Sequence, residues 1–98
     1  MIRSYQLPLH LGLFDSGIGG ISILNQLITL PIEKITYVAD TAYLPYGQQP
    51  YEVLIERGMR IVSFLVKQNI STIVMACHTS SATTLPTLMQ QFPQVTFI

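Results

Sequence analysis

The sequence predicts an α/β fold: a three-layer arrangement with a parallel β-sheet and helices on both faces. Three observations carry that expectation. Apolar runs of strand length alternate with segments of helical period, strand then helix three times over, closing on a further strand. The first strand passes into its helix through a glycine-rich loop. The length, 98 residues, suits one small domain and is too short for two.

Residues 1–9 contain Pro8, show no clear period and read as a loose leader. Leu11 to Phe14 is a short apolar run that stops at Asp15, as a buried strand would. Glycines follow, and then Ile21, Ile23, Leu24, Leu27 and Ile28 recur at helical spacing, with Pro31 just beyond to end the helix. Residues 34–39 are rich in β-branched and aromatic side chains and read as the second strand. Residues 40–50 hold Pro45, Gly47 and Pro50 and are long for a turn, which marks a functional loop. Residues 51–68 form an amphipathic helix, interrupted in composition by Gly58, with Glu52, Glu56 and Arg60 on a solvated face and Asn69 at its exit. Residues 72–76 make the third strand and lead into Cys77. His78, Thr79, Ser80 and Ser81 read as a polar turn, and residues 82–92 as a helix in which Pro86 must sit in the first turn or make a kink. Residues 95–98 start a fourth strand, whose free edge would be exposed and prone to pairing.

Composition narrows the function. Five basic and five acidic residues cancel, so no basic footprint for nucleic acid exists. No run of about 18 apolar residues is present to span a membrane, and no secretory signal is recognisable, which points to the cytoplasm. Hydrophobic residues make up 49% and charged residues only 10%, against about 25% charged in ordinary soluble domains. Either another domain or subunit covers much of the surface, or the chain is part of something larger. The single cysteine, Cys77, forms no intrachain disulfide and no zinc-type spacing. It is either a small buried hydrophobe or a reactive thiol.

In open α/β sheets the ligand crevice lies beyond the carboxyl ends of the strands. That rule selects 15–20 after the first strand, Asp40 through Gly47 after the second, and Cys77 through Ser80 after the third. The glycine loop is either a tight connection or an anion cradle at a helix N-terminus. Gly17 and Gly19 match the first two glycines of a dinucleotide fingerprint, Ser22 occupies the third position, and Asp40 sits near the place of a ribose-binding acid. A nucleotide- or dinucleotide-binding half-domain is therefore an alternative, and a non-catalytic remnant pairing through its open edge is another. Cys77, between a strand and a helix N-terminus, is placed for a lowered thiol pKa. His78 reads as a satisfied loop histidine or a catalytic one. Tyr43 and Tyr46 either pack or close over a ligand. His10, at the opposite end of its strand, is assigned no role.

With these segments in place, the chain resembles the aspartate/glutamate racemase family, and glutamate racemases in particular. Asp15-Ser16-Gly17-Ile18-Gly19-Gly20 looks like the family's N-terminal signature. Val38-Ala39-Asp40 followed by Leu44-Pro45-Tyr46-Gly47 looks like its second, and Met75 through Ala82, around Cys77, like its first cysteine motif. The resemblance implies a flavodoxin-like half of a two-domain enzyme. It implies racemisation of L-glutamate to D-glutamate for peptidoglycan synthesis, with no cofactor and no metal. By the same resemblance, Cys77 is one of two acid/base thiols and Asp15 orients or assists it. Asp15, Ser16, Pro45, Tyr46, Gly47, His78 and Thr79 bind substrate. Two departures stand out. The family usually has asparagine where His78 stands, and histidine cannot present both a donor amide and a carbonyl. Family members are also more than twice as long, with their second cysteine in the part this chain lacks. The expectation is an N-terminal racemase domain, its second domain absent, that does not racemise alone. A homodimer is left open.

Overall fold

The computed structural model describes residues 10–17, 20–43, 46–76 and 78–98; the leader expected at 1–9 lies outside them. Strand β1 is His10–Asp15, α1 is Gly20–Leu27 and β2 is Lys34–Ala39. Two short 3-10 turns, Thr41–Tyr43 and Tyr46–Gln48, then lead to α2, Tyr51–Lys67. Strand β3 is Thr72–Met75, α3 is His78–Gln91 and β4 is Thr96–Phe97. The strands form one sheet in the order β2-β1-β3-β4, every pair parallel. This is the doubly wound order of flavodoxin-like sheets.

Side-chain alternation along β1 sorts the layers. Phe14 joins the core built by Leu54, Ile61, Val62 and Leu65 of α2 and Leu88 of α3. Gly12 faces the same way, toward Leu65 and Ile70. Leu11, Leu13 and Asp15 therefore point to the opposite face, where the amide of Gly20 in α1 meets Asp15. Right-handed crossovers demand this division, α1 on one face and α2 with α3 on the other, and α2 does pack against α3.

Gly12 is needed for close packing. A Cβ there would lie 3.1 Å from Leu65, 3.2 Å from Ile70 and 3.3 Å from Ile73, all side chains of the core. Gly12→Ala is expected to destabilise the domain by about 1–3 kcal/mol through overpacking. A lower urea midpoint at unchanged slope is the measurement that checks it.

Helix α2 ends as its sequence suggests. Asn69 takes a left-handed φ of 64°, and its N–H donates to Val66 O at 3.0 Å while that of Ile70 donates to Leu65 O at 3.3 Å. This pair of bonds satisfies the last carbonyls of the helix. The Glu56–Arg60 pair forms at 3.1 Å on the exposed face and adds little stability there.

Helix α3 and strand β4 differ in extent from expectation. Helix α3 begins at His78 rather than at 82, so the hydroxyl-rich stretch 79–81 is its first turn. Serine and threonine read as turn formers, yet the first turn of a helix has unpaired N–H groups and tolerates them. Pro86 consequently lies inside the helix, where it removes one ladder bond. Strand β4 is shorter than 95–98, although pairing continues to Ile98, whose N–H donates to Ile73 O at 2.9 Å.

Candidate active site

Strand β1 connects to β2 on one side, and the chain then crosses back to β3 on the other. The topological switch point thus lies between β1 and β3, the usual place for a ligand in such sheets. Backbone bonds tie the three strand ends together there. The Asp40 N–H donates to Asp15 O at 2.9 Å, and the Ala76 N–H donates to Phe14 O at 2.8 Å. The turn Tyr46–Gln48 rests against α3. The three strand ends that open into the segments singled out by the strand-end rule, at Asp15, Asp40 and Ala76, therefore lie together at one edge of the sheet.

Asp15 is fully buried. Its Oδ2 accepts the Gly20 N–H at 2.9 Å and the Tyr37 hydroxyl at 3.0 Å. Its Oδ1, equally buried, has no hydrogen-bond partner among the described residues. Gly20 comes so close because it has no side chain, and the carboxylate answers the positive end of α1. Burial raises the Tyr37 phenol above its ordinary value of 10.0, and the hydrogen bond to Asp15 and its charge raise it further. Tyr37 therefore stays protonated at neutral pH and acts as donor. Ser16 follows, buried, and Gly17 turns the chain at φ 126°, a conformation that favours glycine.

A second cluster anchors the loop after β2. The Arg57 guanidinium donates from Nε to Asp40 Oδ2 and from a terminal nitrogen to Oδ1, each at 3.0 Å. The guanidinium also lies over the Tyr43 ring, 4.4 Å from its centroid, and Gln49 Nε2 donates to Tyr43 O at 3.1 Å. Tyr43 is thus a packing residue. Asp40 has both oxygens on Arg57, and Asp15 already occupies the Gly20 amide at the start of α1. Both observations weigh against a ribose- and pyrophosphate-binding role for this edge.

No family model matches the chain. Among curated proteins, it is 45% identical over 86 residues to the glutamate racemase of Carboxydothermus hydrogenoformans, covering 87% of this chain and 32% of that protein. Among solved structures, it matches glutamate racemase from Aquifex pyrophilus with a TM-score of 0.81 and 32% identity, over 91% of this chain and 35% of that one. The chain belongs to the glutamate racemase family. It spans about a third of the length of the relatives it matches. A third relative, from Escherichia coli, was solved with L-glutamate and an activator, UDP-MurNAc-ala; it matches with a TM-score of 0.80 at 30% identity, over 91% of this chain and 34% of that one.

Within this racemase fold, Asp15 and Ser16 sit buried at the end of β1. Gly47 belongs to the turn Tyr46–Gln48, and a Cβ at Gly47 would meet nothing within 4 Å. His78 and Thr79 open α3, so His78 is a helix residue and not a loop one. Cys77 and Pro45 lie outside the described residues. His10 Nε2 bonds with Thr36 Oγ1 at 2.6 Å, at the far end of β1. Sequence reasoning missed Gly20 as a partner of Asp15, and it missed Tyr37 and Arg57. Tyrosine inside a strand and arginine inside a helix carry no signal until register and packing are known. Among the described residues, no group of His, Cys, Asp or Glu is gathered to hold a metal ion, and no helix is long and apolar enough to cross a membrane.

Proposed function

We propose that this chain supplies one half of a cofactor-independent glutamate racemase site, in which Cys77 is one of two acid/base thiols. The observation that supports it best is the buried Asp15 carboxylate at the switch point, one oxygen without a partner among the described residues, at the end of the strand that pairs with the one leading to Cys77. A thiolate at Cys77 takes the α-proton of glutamate and becomes a thiol. The carbanion-like centre then receives a proton on its opposite face from a second thiol, and the reverse reaction exchanges the two roles. The α-proton is very weakly acidic, so desolvation, close positioning and stabilisation of developing charge must lower the barrier. The N-terminus of α3, directly after Cys77, favours the thiolate. Asp15 orients or assists the thiol; Ser16, Pro45, Tyr46, Gly47, His78 and Thr79 hold the substrate. The chain contains one cysteine, so racemisation needs a second from outside these 98 residues. The product serves peptidoglycan synthesis in the cytoplasm, where thiols stay reduced.

The test joins this chain to the remainder of the Carboxydothermus hydrogenoformans racemase. Cys77→Ala in that chimera is expected to cut turnover by about 10³-fold, in the range for losing a positioned acid/base, while glutamate still binds. Retained turnover removes Cys77 from the mechanism.

A further inference from the structure

Asp15 is a fully buried carboxylate whose two oxygens are treated unequally. Oδ2 takes both donors, the Gly20 amide and the Tyr37 hydroxyl. Oδ1 takes none among the described residues. An ionised carboxylate has about four acceptor sites, and leaving a buried oxygen without a donor costs about 1–3 kcal/mol. Such an atom in a native site calls for a reason, and a reacting partner is one. The two donors reach Oδ2 from different directions. Gly20 opens the helix after β1, and Tyr37 comes from the neighbouring strand, where it pairs with Leu13 two residues before Asp15. The tyrosine side chain lies on the Asp15 face of the sheet and runs along it to the strand end. Two fixed donors on one oxygen stop the carboxylate from turning about its own bond.

We propose that Tyr37 is a positioning residue of this site: with the Gly20 amide it holds Oδ2, and so decides that Oδ1 is the oxygen left for the reacting group. This rests on the reading of Cys77 as the acid/base thiol beside Asp15. Tyr37 touches no reacting atom itself and acts through Asp15. Its phenol, raised above the ordinary value, remains a donor over the whole range in which a thiol titrates.

The chain's single cysteine makes a direct test available without substrate or a second domain. The rate of alkylation of the 98-residue chain by iodoacetamide at neutral pH reads the thiolate fraction of Cys77. Asp15→Asn removes the negative charge that the proposed reading sets beside the thiol, and on that reading alkylation is expected to speed up about tenfold, as one pKa unit would. Tyr37→Phe keeps the ring and removes only the hydroxyl. The carboxylate loses a donor and is freer to turn its charge toward the thiol, so alkylation is expected to slow about threefold. A second measurement follows the Tyr37 ring carbon by NMR titration, whose midpoint is expected to fall in Asp15→Asn. If Asp15→Asn leaves the alkylation rate unchanged, the pairing of Asp15 with Cys77 fails and the functional reading fails with it. If Asp15→Asn speeds alkylation while Tyr37→Phe leaves it alone, the functional reading stands and the role of Tyr37 is overturned.

Discussion

A Gly20→Ala variant is expected to lose about 2–4 kcal/mol of stability and to dislodge Asp15. The added methyl would fall 2.5 Å from Asp15 Oδ2, 2.7 Å from its Cγ and 2.8 Å from its Cβ. No pair of unbonded heavy atoms of these kinds sits so close, so something must move. Asp15 cannot yield easily, because it ends a strand paired on both sides and its side chain is fully buried. Overpacking of this kind costs about 1–3 kcal/mol, and loss of the Gly20–Asp15 hydrogen bond adds about 1–3 kcal/mol by leaving a buried carboxylate short of a donor. Against this stands the helix-propensity gain of alanine over glycine, about 1 kcal/mol. The balance remains strongly unfavourable. Gly47→Ala is the control, since nothing lies within 4 Å of its added methyl, and its stability should stay within about 0.5 kcal/mol of the parent. Urea unfolding of both variants decides the matter. Equal midpoints would show that α1 can shift away from the strand end without penalty, and that the short contact to Asp15 is not a constraint.

The contrast between these glycines shows what could be read before folding. Both stand in loops that the strand-end rule marks, and sequence alone treats them alike. What separates them is whether a side chain from another element fills the space, and that is a property of the assembled sheet. Asp15 was marked by the strand-end rule, and its role only by the family resemblance. Its partners were not. Tyr37 meets it across 22 residues and Arg57 meets Asp40 across 17; parallel register brings the first pair together, and the packing of α2 the second. The strands were legible because their apolar runs are short and bounded, and the parallel order because helical segments intervene. The start of α3 was misread because local preference for hydroxyl side chains in turns says nothing about a helix held in place by α2 beside it. Tyr43 had two readings, and the guanidinium beneath its ring selects packing.

Arg57→Ala is expected to cost about 1–3 kcal/mol, the range for taking hydrogen-bond donors from a buried polar group. Asp40 is only 6% exposed and Arg57 24%, so the carboxylate cannot turn to water when the guanidinium goes. The pair is bidentate, with both bonds at 3.0 Å, a geometry that lysine does not reproduce; Arg57→Lys should recover only part of the loss. Tyr43 would lose the cation over its ring at the same time. A double-mutant cycle separates these contributions. If the ion pair carries the effect, Arg57→Ala combined with Asp40→Asn should cost less than the two single changes added together, because both changes remove the same interaction. Strict additivity would mean that the two groups act independently despite their contact. The same variant also asks how the site is built. Arg57 fastens the 3-10 turn Thr41–Tyr43 to α2, and that turn leads to the one carrying Tyr46 and Gly47. Hydrogen exchange across 41–49 should therefore quicken in Arg57→Ala well before β1 and β3 open. The loop after β2 is then held by an ion pair of its own, and its order can be lost while the sheet that carries Asp15 stays folded.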